Sequence, residues 1–367
     1  MTPASAPKNR LAHVDLLKSL AIWFVLIFHC ALYPIVIYAG MPLSALLRYY
    51  FQAILSTCVP LFFFVSGYLM LERPLNLKKH SLRTGKMMLI TCFWIVFLLF
   101  VLQYYYQEPI LWQELQEGMW DLKGGWNNHL WYLSALIGIY LMYPLIKSAF
   151  DCSRACFYWF TAVMAFLVFG STLLNLAVIL FNLFVKQEFY LFYNNFPVFN
   201  QFVPLAYSCG MGTAYFCLGG TARVLEERLL KIPVHWRNLA ASVGLIVCWA
   251  TLGTIGWRFS LYLKGLWDVV WSGYTTVFTL VNVLCLYVLS LNLKRDIPIL
   301  RWVSANTLGI YLLHDLLHKM IGPYLSQFAL MRTLPATLVY TLVLLLLSLG
   351  VCLILKKIPL VKHLISL

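Results

Sequence analysis

Hydrophobic positions in this chain run in long blocks, and about ten windows approach the ~20 apolar residues needed to cross a bilayer. By residue number they are 16–38, 47–71, 87–103, 129–147, 156–181, 201–220, 239–256, 268–291, 304–321 and 334–355. Blocks of this length predict helices, because a helix satisfies its own backbone hydrogen bonds inside lipid. The expected fold is an all-α integral membrane bundle of about ten transmembrane helices. The windows fill the 367 residues from end to end, so one membrane domain is expected, with a short tail over residues 1–14.

Composition agrees with that reading: 62% of residues are hydrophobic and 11% charged, against roughly 25% charged in soluble domains. The formal charge of +14 does not imply a nucleic-acid partner, because the basic residues sit between apolar runs and not on one polar face. Their spacing instead orients the chain. Lys8, Arg10 and Lys18, then Arg73, Lys78, Lys79, Arg83 and Lys86, then Arg223, Arg228, Lys231 and Arg237, fall on one side together with Lys356, Lys357 and Lys362. By the positive-inside rule that side is cytoplasmic, and both termini with it. The apolar run after Arg10 is too long for a removable signal peptide and reads as the first span.

The longest opposite-side loop, 104–128, carries Glu108, Glu114, Glu117 and Asp121, and its Leu111, Leu115 and Met119 recur every fourth residue. That pattern predicts a short surface helix, read as a lid or, in preference, as an interfacial anchor with Trp112, Trp120 and Trp126. The next outer loop, 182–200, is crowded with aromatic residues suited to a sugar, a lipid or the membrane boundary. The ten cysteines form no CxxC pair and read as small buried hydrophobes.

The first window holds the chemistry. Lys18 and His29 are eleven residues apart, which on a helix brings them within about 20° of one face, ~16 Å apart along the axis. Asp15 lies within about 40° of the same stripe. Ionisable groups inside a span mark function by default, and an imidazole there suits a general base. His129 opens the fourth window ahead of Trp131, where it either meets an acceptor or anchors at the interface. His314, beside Asp315, either lines the cavity of His29 or bonds a neighbouring helix. Ser66 and Tyr68 flank Gly67 as pocket residues or as part of a small-residue helix contact. Ser66 has no GxSxG elbow and is not a nucleophile. His314 and His318 have the i, i+4 spacing of a zinc pair, but Asp315 replaces the glutamate of HExxH and no third ligand is evident, so no metal is expected.

Three blocks then carry a resemblance. Asp15-Leu-Leu-Lys18 with His29 and the run Val59-Pro-Leu-Phe-Phe-Phe-Val-Ser-Gly-Tyr68 form the first. His129-Leu-Trp-Tyr-Leu133 with Tyr140 and Pro144, and Leu308-Gly-Ile-Tyr-Leu-Leu-His314, follow in order. Together they resemble the membrane acyltransferase 3 family, in its compact bacterial form without an added extracytoplasmic domain. Lys18 stands where arginine is common. The resemblance implies a ten-helix bacterial inner-membrane enzyme that takes an acyl group, usually acetyl, from cytoplasmic acyl-CoA. The acceptor it implies is a hydroxyl of a surface glycan or lipid-linked sugar. It implies His29 as the catalytic histidine, with Asp15 in the same block and Lys18 as its basic partner. The phosphates of acyl-CoA, a donor substrate, would be met by Lys18 and Arg73 or Arg83, with Ser66 and Tyr68 nearby, and the acceptor by His129, Trp131 and His314. His29 would either take the hydroxyl proton or accept the acyl group first. The competing class is a transporter or flippase for a polar lipid-linked substrate, which would use the same buried stripe for binding or proton relay. A structural scaffold gives no reason for the stripe.

Overall fold

A computed structural model describes residues 11–35, 38, 41–107, 129–185, 199, 202–203, 207–359 and 361–366. Among these residues the fold is all helical, with no strand. The helices are α1 (Ala12–Cys30), α2 (Leu43–Leu55), α3 (Cys58–Met70), α4 (Leu77–Tyr106), α5 (Trp131–Cys152) and α6 (Arg154–Val185). They continue with α7 (Tyr207–Leu230), α8 (Val234–Leu263), α9 (Val277–Ser290), α10 (Pro298–Ala305), α11 (Thr307–Leu325) and α12 (Leu334–Leu355). Among the described residues, seven stretches are long and apolar enough to cross a membrane: α1, α2 with α3, α4, α5, α6, α8 and α12. The protein is therefore an all-α polytopic membrane protein. The surface helix read in 108–128 and the aromatic loop over 186–198 lie outside the described residues.

Helix ends follow local chemistry more closely than hydropathy does. The first helix stops at Cys30, eight residues short of the window, because Pro34 disfavours helical backbone before it and Ala31 is already extended at φ −63°, ψ 126°. His29 thus sits in the last turn. The second window is two helices, α2 and α3. At the joint, the hydroxyls of Ser56 and Thr57 donate to Ala53 O and Ile54 O, each at 2.7 Å, and Pro60 lacks the N–H that would continue the ladder. The eighth window begins as a turn, not a helix: Asp268 Oδ1 accepts from the backbone of Val270 and Trp271 at 2.9 and 3.0 Å, leaving a helix of 14 residues. The ninth breaks at Asn306, between α10 and α11.

The centre of the bundle is α1. It packs against α2, α3, α9, α10, α11 and α12, and 61% of its window is buried, compared with 78% for α2 with α3 and 22% for α8. The closest pairing is between α3 and α7. A Cβ on Gly67 would fall onto the carbonyl of Phe216, and one on Gly219 onto the carbonyl of Phe64. Both positions require glycine for backbone approach, so in the Ser66-Gly67-Tyr68 triplet the glycine serves helix packing.

Candidate active site

Three imidazoles from three elements meet near the end of α1. The ring of His29 lies 5.8 Å from His314, on α11, and 6.3 Å from His129, in the 3-10 turn before α5. His129 and His314 are 5.6 Å apart. His314 is fully buried and His129 nearly so, whereas His29 is only half-buried. His29 is thus the open member of the cluster.

The other two rings have assigned tautomers. His314 Nδ1 is 2.6 Å from the carbonyl of Tyr311, which can only accept, so Nδ1 carries the hydrogen. His129 Nδ1 lies 3.4 Å from Asp315 Oδ2, an oxygen that also accepts from Lys319 Nζ at 2.6 Å. At 3.4 Å this is an ion-pair contact and not a hydrogen bond, and the negative charge of the carboxylate favours the tautomer with its hydrogen on Nδ1. Tyr311 in turn donates its hydroxyl to the carbonyl of His129, fixing the turn that holds the ring. The Nε2 atoms of His129 and His314 therefore present lone pairs, and both are buried with no hydrogen-bond partner among the described residues. An unmet buried acceptor costs about 1–3 kcal/mol. A hydroxyl donor would relieve that cost, and the cluster is built to take hydrogen bonds and protons.

On the side of α1 nearer its start lies a cavity of about 380 Å³. Lys18, Arg73, Arg83 and Lys356 supply four cations to its wall, and the described lining residues include no carboxylate. Lys18 Nζ donates to Ser304 O at 2.5 Å, at the end of α10. Lys356 Nζ donates to Asn306 Oδ1 at 2.5 Å, at the helix break. The wall also includes Tyr132, Tyr140 and Tyr311. Tyr311 touches both sites, since its ring is 5.8 Å from His129 and 5.7 Å from His314. His29 itself is not in the cavity wall.

A match to a family model described as an acyltransferase domain covers residues 11–357. The protein belongs to the acyltransferase 3 family. No match was found among curated proteins or among solved structures. For this acyltransferase the sequence-predicted residues divide by their place in the fold. His29, His129 and His314 come together, and Lys18, Arg73 and Ser66 share the cationic cavity. Trp131 packs its ring 4.8 Å from Trp271, beside the turn that holds His129.

Asp15 and Tyr68 are placed elsewhere. Fourteen helical residues put Asp15 ~21 Å from His29 along α1, so the acid does not meet the imidazoles. It is buried near the start of the helix. The Tyr68 hydroxyl donates to Glu226, accepts from Arg223 Nη1 at 2.8 Å and lies 3.0 Å from His13 Nε2. Tyr287 joins the same carboxylate at 3.0 Å. This network ties α1, α3, α7 and α9 together, and Tyr68 does not line the cavity.

The residues that sequence reading missed are Lys356, Asn306 and Lys319 and the role of Asp315. For Asp315 a signal existed: Lys319 follows it at i+4, the spacing of a helical ion pair. His318 turns away from His314's cluster, with Nδ1 2.9 Å from the Tyr340 hydroxyl, and among the described residues no three histidine, cysteine or carboxylate side chains are placed so that they could hold a metal ion together.

Proposed function

We propose that this membrane acyltransferase moves an acyl group, most often acetyl, from cytoplasmic acyl-CoA to a hydroxyl of an extracytoplasmic or lipid-linked carbohydrate. The observation that carries the reading is the cavity with four cations and no carboxylate, separated from three imidazoles only by Tyr311 and its neighbours. Phosphates of CoA suit Arg73, Arg83 and Lys356, which offer charge-assisted hydrogen bonds. The ~16 Å from Lys18 to His29 is a distance the pantetheine arm can span. The arm would pass Tyr311 to bring its thioester to the cluster.

In the reaction, the acceptor hydroxyl oxygen attacks the thioester carbonyl, a C–O bond forms and the C–S bond breaks. His29, the open imidazole, takes the hydroxyl proton and returns it to the departing sulfur. His129 and His314 accept hydrogen bonds through their Nε2 atoms from the same or a neighbouring hydroxyl, and Asp315 holds His129 in the tautomer this needs. The protein would sit in a bacterial inner membrane with ten spans and both termini cytoplasmic, so that donor and acceptor enter from opposite faces.

The test compares surface glycans by mass spectrometry from cells with and without the gene, alongside thiol release when membranes receive acetyl-CoA. The expected result is an O-acyl group that depends on the chain, with one CoA thiol per ester. An unchanged glycan profile with no thiol release would overturn the reading.

A further inference from the structure

The wall of the cationic cavity includes a piece of chain that belongs to no membrane helix. After α12 the chain forms a 3-10 turn at Val361–Leu364 and sets Ile365 and Ser366 into the cavity lining. Ile365 is 1% exposed. Terminal segments fray unless something ties them down, and here three contacts do so. The buried indole of Trp94, on α4, donates to Leu364 O at 2.8 Å. Lys362 N donates to Ile358 O at 3.0 Å, turning the chain back. The Ile365 carbonyl packs on Gly309, where an added Cβ would stand 3.4 Å from it and would overlap Cys352 Sγ. The glycine of the Leu308-Gly-Ile-Tyr block is thus required by Cys352, on α12, and Ile365 rests on the surface it leaves.

We propose that residues 361–366 are a structural part of the acyl-donor site, positioning the nucleotide end of CoA by closing the cavity beside Lys356 and Asn306. The proposal rests on reading that cavity as the donor site. Arg73 and Arg83 are exposed, and charges facing open water attract a phosphate only weakly. Closing the wall with Ile365 removes water from one side of the cavity and strengthens the attraction from Lys18 and Lys356, which are only partly exposed. The segment touches no reacting atom. Its effect is on binding and not on the chemical step.

The experiment measures CoA binding by calorimetry on detergent-purified protein in four forms: the full chain, a chain ending at Pro359, Ile365→Asp and Trp94→Phe. Ile365→Val serves as the conservative control. Truncation and Ile365→Asp are expected to weaken binding at least tenfold, Trp94→Phe a few-fold, and Ile365→Val hardly at all. Ligand-free melting temperature and elution profile report folding, and if the truncated chain does not fold, Ile365→Asp and Trp94→Phe decide. Unchanged or tighter binding in the folded tail variants overturns the proposal while leaving the donor reading intact. Absence of CoA binding by the full chain overturns the donor reading itself, and the proposal with it.

Discussion

Asp315 holds His129 from behind. Its Oδ2 lies 3.4 Å from Nδ1, on the far side of the ring from the buried Nε2, and Lys319 holds the same oxygen at 2.6 Å. Asp315→Asn keeps the shape but can offer the ring a donor in place of an acceptor, which would turn the tautomer over. Acceptor acylation should fall by roughly ten- to a hundredfold, the scale of losing a partner that orients a working imidazole. CoA affinity should not move, because Asp315 does not line the cavity. Initial rates and calorimetry on one preparation check both halves.

His29→Ala should lower acyl transfer by about 10²- to 10⁴-fold, the usual contribution of a positioned acid–base group. Expression and membrane insertion should be normal, since the change removes a polar group from an apolar helix. His129→Ala and His314→Ala should cost less. Near-normal acylation with His29→Ala would remove it from the reaction.

Lys18 has two duties, one toward the cavity and one toward Ser304 O. Lys18→Arg retains the charge and should keep much of the activity, although the planar group fits the carbonyl differently. Lys18→Glu should weaken CoA binding strongly and acceptor affinity little. Normal CoA binding by Lys18→Glu with activity lost would confine Lys18 to holding α1 against α10.

Gly67→Ala sets a methyl group against the Phe216 carbonyl. Overpacking of this kind costs about 1–3 kcal/mol, and the α3–α7 contact offers backbone, not a flexible side chain, to absorb it. The melting temperature in detergent should drop. Gly85→Ala, inside α4 with no atom within 4 Å of the added carbon, is the control and should not lower it, since alanine favours the helix.

Topology can be read with fused reporters. One near Lys79 should be cytoplasmic, and one near Asn194 extracytoplasmic, as the loop charges require. A cytoplasmic Asn194 reporter would reverse the assignment of donor and acceptor faces.

Much of the fold was legible because lipid-facing and core positions are both apolar, so long blocks give away where helices run. What hydropathy does not register is a stop made by one residue, such as Pro34 ending α1 or Asp268 turning the start of the eighth window. The site was half legible. His29, Lys18 and His314 stood out as polar groups in apolar surroundings, whereas Lys356 reads as an ordinary basic flank until the fold brings it to Asn306, fifty residues away. The network of Tyr68 was hidden for a similar reason: its partner Glu226 is 158 residues further on, and no local pattern links them.

The break at Asn306 leaves the first turn of α11, at Thr307, Leu308 and Gly309, facing the cavity. The opening turn of a helix carries unbonded amide groups and the positive end of its dipole, equivalent to about half an elementary charge. An anion in the cavity therefore meets a backbone field in addition to the four side chains, offset in part by the last carbonyls of α10, where Lys18 already occupies that of Ser304. That field cannot be mutated away by changing lysines and arginines, so neutralising all four should leave a residual affinity for anions with a shallower dependence on salt. The interrupted helix makes the main chain itself part of the binding surface.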